Sequence, residues 1–591
     1  MNRKAMARFW LNIVLTSVVG AGCAGPTASP TAPPTALPTA LPVPSPTPLP
    51  PDAVSGVVRD EDGPVAGATV RVRATNNKTT TATDGSFTLG GLTASVSVSI
   101  TAWIDGYYVG WTSAAPGTEP VTIAIKPYYT TDNPDYTWFS MEGAEGSKSC
   151  GHCMVDHYAE WRADAHSQSA VNPRFLTMYN GTDVHGNQSP LTRYGYSRDY
   201  GSFPLRPDPN QPYYGPGYKL DFPNTAGNCA ACHVPAAAAK PGRAYAADPN
   251  QLSGIETEGI FCELCHKIGD VTLNPATGLP YPNMPGVLSM RLYRSKGEQV
   301  LFFGTFDDVT RRVSRLPLEE ESAFCAPCHF GVFWDEVIYN SYGEWLESPY
   351  SDPQTGQTAR LSLRPELRPR GSPKSCQDCH MPVTDATTFV LPEKGGLERP
   401  PGRIFSHRMP GAMDEELLQN AVTMTATARL EGEAVVVQVD ITNDQTGHHV
   451  PTDSPLRHLI LLICATDAQG NSLQQLDGPT VPEWGGVGDY AQGYYAGLPG
   501  KGFAKILEEL WTEISPSGAY WNPTRVLSDN RLAAFATDTS TYTFAAPAEG
   551  EVTVEVALLF RRAFKELMDQ KGWDVPDILM EWEVITLSAS Q

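Results

Sequence analysis

Four Cys-x-x-Cys-His pentads constrain this chain more than any other feature: Cys229-Ala-Ala-Cys232-His233, Cys262-Glu-Leu-Cys265-His266, Cys325-Ala-Pro-Cys328-His329 and Cys376-Gln-Asp-Cys379-His380. Two thiols at this spacing can form thioethers to one porphyrin, and the histidine that follows is placed to bind its iron from the proximal side. Each pentad therefore reads as a covalent haem c site. Zinc knuckles would need two cysteine pairs per ion and give no reason for a histidine at the same offset four times. The folding consequence is large, because each macrocycle offers apolar surface on which loops and short helices can pack.

A fifth site is altered. Cys150-Gly-His-Cys153-Met154 keeps the cysteine spacing and has methionine in place of histidine. A thioether sulfur is a known axial ligand to haem iron, so Met154 can replace the proximal nitrogen. His152 or His157 are alternatives, and so is a plain disulfide between Cys150 and Cys153. Ten of the twelve cysteines are then accounted for, leaving Cys23 and Cys464. Cys464 lies in the apolar run His458-Leu-Ile-Leu-Leu-Ile-Cys464-Ala and is expected to be a small buried hydrophobe.

Cys23 closes a targeting segment, residues 1–23, with a charged start (Arg3, Lys4, Arg8) and an apolar core from Phe9 to Val19. The core is too short to span a membrane and suits a cleaved signal. Gly20-Ala-Gly-Cys23 resembles a bacterial lipoprotein cleavage box, which implies lipidation of Cys23 and an extracytoplasmic protein anchored to the outer face of a membrane. Residues 24–52 repeat Pro, Thr, Ala and Ser with almost no charge, a composition that favours polyproline II. At about 3.1 Å per residue this tether reaches roughly 80 Å.

Between residues 53 and 128, short alternating strands are separated by turn signals such as Glu61-Asp-Gly63 and Asp84-Gly85, which predicts a small β-sandwich. The run Val54-Ser-Gly-Val-Val-Arg-Asp-Glu-Asp-Gly-Pro-Val-Ala-Gly-Ala-Thr-Val70 with Thr83-Asp-Gly-Ser-Phe87 resembles the carboxypeptidase regulatory-like domain. A spacer or docking module without catalytic residues is expected. Residues 129–412 carry every pentad, and stretches such as 181–227 show neither helical nor strand periodicity. A loop- and helix-rich haem domain is expected there, with a helix over Cys328–Ile338. Strand patterns return in residues 413–591, at Val422–Ala428, Ala434–Asp440, Leu459–Ile463 and Val552–Leu558. They predict an immunoglobulin-like sandwich with a helix near Arg562–Met568, capping the haem domain.

Cys153-Met-Val-Asp-His-Tyr-Ala-Glu-Trp161, Asp164-Ala-His166, Gly259-Ile-Phe-Cys262 and Tyr342-Gly-Glu-Trp345 leading to Cys376-Gln-Asp-Cys-His-Met-Pro382 together resemble the multihaem cytochrome c superfamily. That superfamily includes the tetrahaem cytochrome of hydroxylamine oxidation, hydroxylamine oxidoreductase and pentahaem nitrite reductase. The resemblance implies mostly bis-histidine irons, with stacked or perpendicular haem pairs relaying electrons. Eight histidines lie outside the pentads: 152, 157, 166, 185, 407, 448, 449 and 458. His166, His407 in Phe405-Ser-His-Arg-Met-Pro-Gly411 and His448 in Thr446-Gly-His-His-Val-Pro-Thr452 are the expected distal ligands, with His449 able to exchange with His448.

The formal charge of −22 disfavours nucleic acid and anionic lipid headgroups as partners and leaves redox proteins or extracellular electron acceptors. The expected function is electron transfer through four to five haems. The alternative is a nitrite- or hydroxylamine-type reductase using the altered first haem, with Arg193, Tyr194 and Tyr196 as candidate substrate contacts.

Overall fold

The computed structural model describes residues 50–141, 144–296, 300–310, 312–351 and 373–589. The targeting segment with Cys23, and the tether as far as residue 49, lie outside the described residues. Alternation in Val54-Ser-Gly-Val-Val58 becomes strand β1 (Val54–Arg59), with Val54 and Val58 pointing inward. It is followed by β2 (Thr69–Val72), β3 (Lys78–Thr80), β4 (Ser86–Leu89), β5 (Val98–Trp103), β6 (Gly110–Ala114) and β7 (Val121–Ala124). They form two sheets, β4-β1-β7 and β3-β2-β5-β6, which share a core of Val58, Val70, Phe87, Ile100 and Ile123. Gly85 turns the chain into β4 at φ +74°, where a Cβ would sit 2.7 Å from the Val58 carbonyl oxygen. Only glycine suits that position.

This sandwich is docked against the region that carries the pentads. Val109 N–H donates to the Val313 carbonyl at 3.1 Å, and Trp103 Nε1 donates to Ser314 Oγ at 3.0 Å. Buried Asp308 accepts from Ala74 N–H at 2.8 Å and pairs with buried Arg399 at 2.8 Å, while Arg71 pairs with Asp307.

Helices in the central region are short. Pentad residues occupy helical turns at Ala230–His233, Cys262–Cys265 and Cys376–His380, and the pentad from Cys325 follows the 3₁₀ turn Ser322–Phe324. A helical turn places residues three and four apart on one face, so both cysteines and the histidine project together. The expected helix over Cys328–Ile338 is absent. Gly331–Phe333 and Glu336–Tyr339 instead pair as an antiparallel hairpin, turning at Trp334 (φ +51°) and Asp335 (φ +67°). The run is rich in aromatic and β-branched residues, which prefer a strand, and its dense apolar content obscured the period. Part of the stretch 181–227 is also ordered, as the hairpin Tyr194–Ser197 with Gly201–Pro204 and the turn Tyr218–Asp221.

The C-terminal region forms two sheets. One runs Thr423–Glu431, Ala434–Thr442, Thr537–Ala545, Gln475–Asp477, and the other Thr524–Asp529, Gly500–Glu509, His458–Asp467, Gly550–Arg561, Ile578–Ala589. Val435, Val437, Val439, Tyr542 and Phe544 from the first meet Leu459, Leu461, Phe503, Val554 and Val556 from the second in one core. The expected helix is found at Lys565–Lys571. Cys464 is exposed, contrary to expectation. Its strand sends Leu459, Leu461, Ile463 and Ala465 inward and Cys464 to the other face, a period of two hidden within an all-apolar run.

Candidate functional site

Folding brings the pentads into contact with one another. The Cys150 thiol interacts with that of Cys262, Cys232 with Cys328, and Cys325 with Cys376. Serines fix two of these approaches: Ser147 Oγ accepts from Cys262 N–H at 3.2 Å and Ser322 Oγ from Cys376 N–H at 2.9 Å. At the third, Gly286 N–H donates to the Pro327 carbonyl, and a Cβ on Gly286 would sit 2.1 Å from the Ala231 carbonyl oxygen. The ten motif cysteines are part-exposed, and among the described residues they form no disulfide. Burial nonetheless pushes the Cys229 and Cys265 thiols up to about 12. Part exposure with strong desolvation is the combination expected of thiols that line an internal crevice.

The pentad histidines at three sites each face a histidine from a distant segment. The ring centres of His266 and His407 are 6.4 Å apart, those of His329 and His166 6.1 Å, and those of His380 and His448 6.3 Å. With metal–nitrogen bonds of about 2 Å and roughly 1 Å from ring nitrogen to ring centre, imidazoles on opposite sides of one iron have centres roughly 6 Å apart. All six Nδ1 atoms are also anchored. His266 meets the Phe303 carbonyl at 2.8 Å, His407 that of Phe405 at 3.2 Å, His380 that of Pro410 at 2.7 Å and His448 that of His449 at 2.9 Å. His329 meets Asp453 at 3.0 Å and His166 meets Asp164 at 2.6 Å. An acceptor at Nδ1 keeps the proton there and leaves Nε2 as the ligand atom. Burial pulls His407 down to about 3 and His380 to about 4, so both are neutral and able to ligate at pH 7.

Distant elements supply these partners. Asp164 caps the helix Ala165–Gln168 and holds His166 by its backbone N–H as well as its ring. Gly259, at φ +65°, lets the second pentad approach, since a Cβ there would lie 2.4 Å from the His166 carbonyl oxygen. Glu160 accepts from His407 N–H at 2.6 Å, and its carboxylate groups with His157 and His407, ligand atoms within 4.8 Å of one another. His448 and Asp453 both come from the loop between Ala434–Thr442 and His458–Asp467 of the C-terminal sandwich. Glu344 secures that loop, accepting from His449 N–H at 3.1 Å and Thr452 Oγ1 at 2.5 Å and pairing with Arg531 at 2.8 Å.

The remaining two sites differ. His233 lies flat against Phe175, ring centres 4.1 Å apart and planes within 2°, and burial pulls it down to about 4. Tyr218, Phe222, Asn228, Val332, Phe333, Trp334 and Trp521 line a surface cleft of about 320 Å³ directly before Cys229. At the altered site, Cys150 sits in the helix Ser147–Gly151, and half-buried Met154 begins the helix Val155–Ala163. His458 is a core residue, stacked on Phe564, and His185 is exposed. The candidate substrate contacts belong to the exposed hairpin, where Arg193 donates to the Arg206 carbonyl and Tyr194 to that of Asp221. Tyr196, on the same hairpin, is exposed. Sequence reasoning missed Asp453, Asp164, Phe175 and Glu160; of these only Glu160, three residues after His157 on one helix, carried a local signal.

Residues 53–126 match the family model of the carboxypeptidase regulatory-like domain, which identifies the first sandwich. Among solved structures, a penta-haem cytochrome c552 from Thermochromatium tepidum is similar over 75% of this chain and 98% of its own, at 18% identity and a TM-score of 0.47. The Mu homology domain of Fcho1 from Danio rerio, solved with a bound Eps15 peptide, is 10% identical over 29% of this chain and 44% of its own, with a TM-score of 0.11. The PapD-like domain 7 of human CEP192 is 8% identical over 29% of this chain and 84% of its own, also at 0.11. No curated protein matches the chain.

Proposed function

We propose that the chain is an extracytoplasmic multihaem c-type cytochrome that carries electrons between redox partners. The observation that carries this reading is the set of three imidazole pairs, each at the spacing of two ligands to one iron and each with anchored Nδ1 atoms. Haem c, once bound, supplies one-electron chemistry at iron. Cys229, Cys232, Cys262, Cys265, Cys325, Cys328, Cys376 and Cys379 hold four such groups, with Cys150 and Cys153 as the attachment points for a fifth. His233, His266, His329 and His380 would serve as iron ligands, joined by His166, His407 and His448 at the fourth, third and fifth motifs in chain order. Contact between neighbouring motifs would hold the groups they carry near one another, as electron transfer requires. The tether and a lipid on Cys23 hold the folded part at an outer membrane surface.

The test is direct. Expressed with a haem-attachment system, the protein should gain the mass of five haems, show low-spin spectra at three or more irons, and be reduced and reoxidised reversibly. Fewer than four covalent haems, or high-spin signals throughout, would overturn the reading.

A second reading has one observation in its favour. An enzyme of reductase type needs an iron with an open position, and His233, beside Phe175 and the aromatic cleft, is among the described residues the pentad histidine without an imidazole facing it at ligand spacing. This moves the candidate substrate site from the first motif to the second. Cyanide or nitrite that perturbs one haem spectrum, with turnover, would favour it; six-coordinate spectra indifferent to both ligands would exclude it.

A further inference from the structure

The three facing histidine pairs are alike in spacing and unlike in what holds their Nδ1 atoms. Backbone carbonyls serve both rings of the His380–His448 pair and both rings of the His266–His407 pair. The second of these pairs also has one carboxylate on one side, since Glu319 lies 3.3 Å from His266 Nδ1. In the His329–His166 pair both acceptors are carboxylates: Asp453 Oδ2 at 3.0 Å on one side and Asp164 Oδ1 at 2.6 Å on the other. A carboxylate draws the Nδ1 proton more strongly than a neutral carbonyl does, giving the ring imidazolate character and making Nε2 a stronger donor. Stronger donation and added negative charge both favour ferric over ferrous iron. We infer that Asp453 and Asp164 lower the reduction potential of the iron held between His329 and His166, making it the lowest of the three bis-histidine sites.

The placement of Asp453 is itself specific. It sits at φ +64°, in the left-handed region, and its second oxygen accepts from Ser341 Oγ at 2.5 Å, so backbone and side chain both aim the carboxylate at His329. Asp164 is fixed as a helix cap. The site is also a junction: Cys328 neighbours Cys232, and Cys325 neighbours Cys376, with Cys265 close to both thiols of this pentad. The step concerned moves one electron between neighbouring irons, Fe(II) giving Fe(III) as its neighbour gains the electron, with no bond made or broken. A low-potential junction makes that step uphill, so haems on its several sides fill before it does.

This inference rests on the haem reading above, and the experiment separates the two. Spectroelectrochemical titration and low-temperature EPR of the holo-protein would be compared with D453N, D164N and D453E. Asparagine tolerates the left-handed backbone and can still accept a hydrogen bond at Nδ1, so ring orientation is kept while the charge is removed. Each Asn variant should raise the potential of one haem, leaving it reduced over oxidised by about ten to one where the wild-type haem is half reduced, a shift of about 59 mV for one electron. One low-spin EPR signal should change alone, and D453E should restore it toward wild type. Because the two aspartates act from opposite sides, misfolding of one variant leaves the other to decide. Full haem stoichiometry with no potential shifted in either Asn variant would overturn this inference alone. Absence of haem at Cys325 and Cys328 would overturn it together with the broader reading.

Discussion

In the proposed haem reading, single side chains decide how each iron site is completed. The cysteines and proximal histidines could be read from spacing because one helical turn gathers all three. The distal partners were legible as candidates but not as pairs, since His266 and His407 or His380 and His448 meet only through the tertiary fold. Replacing His166, His407 or His448 by alanine is expected to convert one low-spin haem to high spin in each case, which magnetic circular dichroism would count. Three variants with unchanged spectra would make these ordinary loop histidines. Lys571 is a second residue on which much depends. It is fully buried, and its Nζ donates to the carbonyls of Thr177 at 3.1 Å, Thr182 at 3.0 Å and Pro216 at 2.5 Å. K571M strands these acceptors and should cost about 2–4 kcal/mol in chemical denaturation. Burial pulls this lysine from 10.5 to about 7, so between those values the unfolded chain binds the extra proton and stability rises with pH. Relative to K571M, the wild type should therefore gain stability from pH 7 toward 10.5, with the burial penalty fully present below pH 7. Parallel curves for the two proteins would refute that assignment.

Elements differ in how plainly their sequences announce them. The first sandwich was legible almost strand by strand because polar and apolar residues alternate and Gly-containing turns mark its ends. The hairpin Gly331–Tyr339 was not, since Phe330, Val332, Phe333, Trp334, Val337 and Ile338 give no clear period. In the C-terminal sandwich, strands such as Gly500–Glu509 and Ile578–Ala589 escaped notice, because charged residues share them with the apolar ones. The interface between the first sandwich and the haem region could not be read at all: Asp308 and Arg399 are ordinary charges until folding buries them together. D308A leaves Arg399 and the Ala74 N–H without this partner and should cost about 3–5 kcal/mol. Hydrogen exchange would show the loss as faster exchange in β2 and β5, with the haem region unchanged. Burial opposes ionisation of Asp308, but Arg399 holds its carboxyl below 3.8. The contribution is thus present above that value and lost as pH falls through the folded one, so acid should loosen this joint in the wild type and leave D308A indifferent.

For the molecule as a whole, charge governs encounter. A formal charge of −22 creates a negative field that draws cationic partners and repels anionic ones over about a Debye length. Reduction by a cationic mediator should be faster than by an anionic one of matched potential at low ionic strength, and stopped-flow rates should converge as salt is raised. Salt-independent rates for both would exclude this steering. The modular order was visible in composition; how the modules share sites was not. Loop 443–457 of the C-terminal sandwich brings His448 to the last pentad and Asp453 to His329 of the one before. Ribosomes release that loop only after all the attachment cysteines have emerged. In the proposed reading, the last attachment site is thus made before the histidine that completes it, whereas His166 and His407 precede that loop. In the proposed reading, a chain cut short before residue 443 would keep every attachment cysteine together with His166 and His407, and would leave unfinished only the site of His380 and the carboxylate that faces His329.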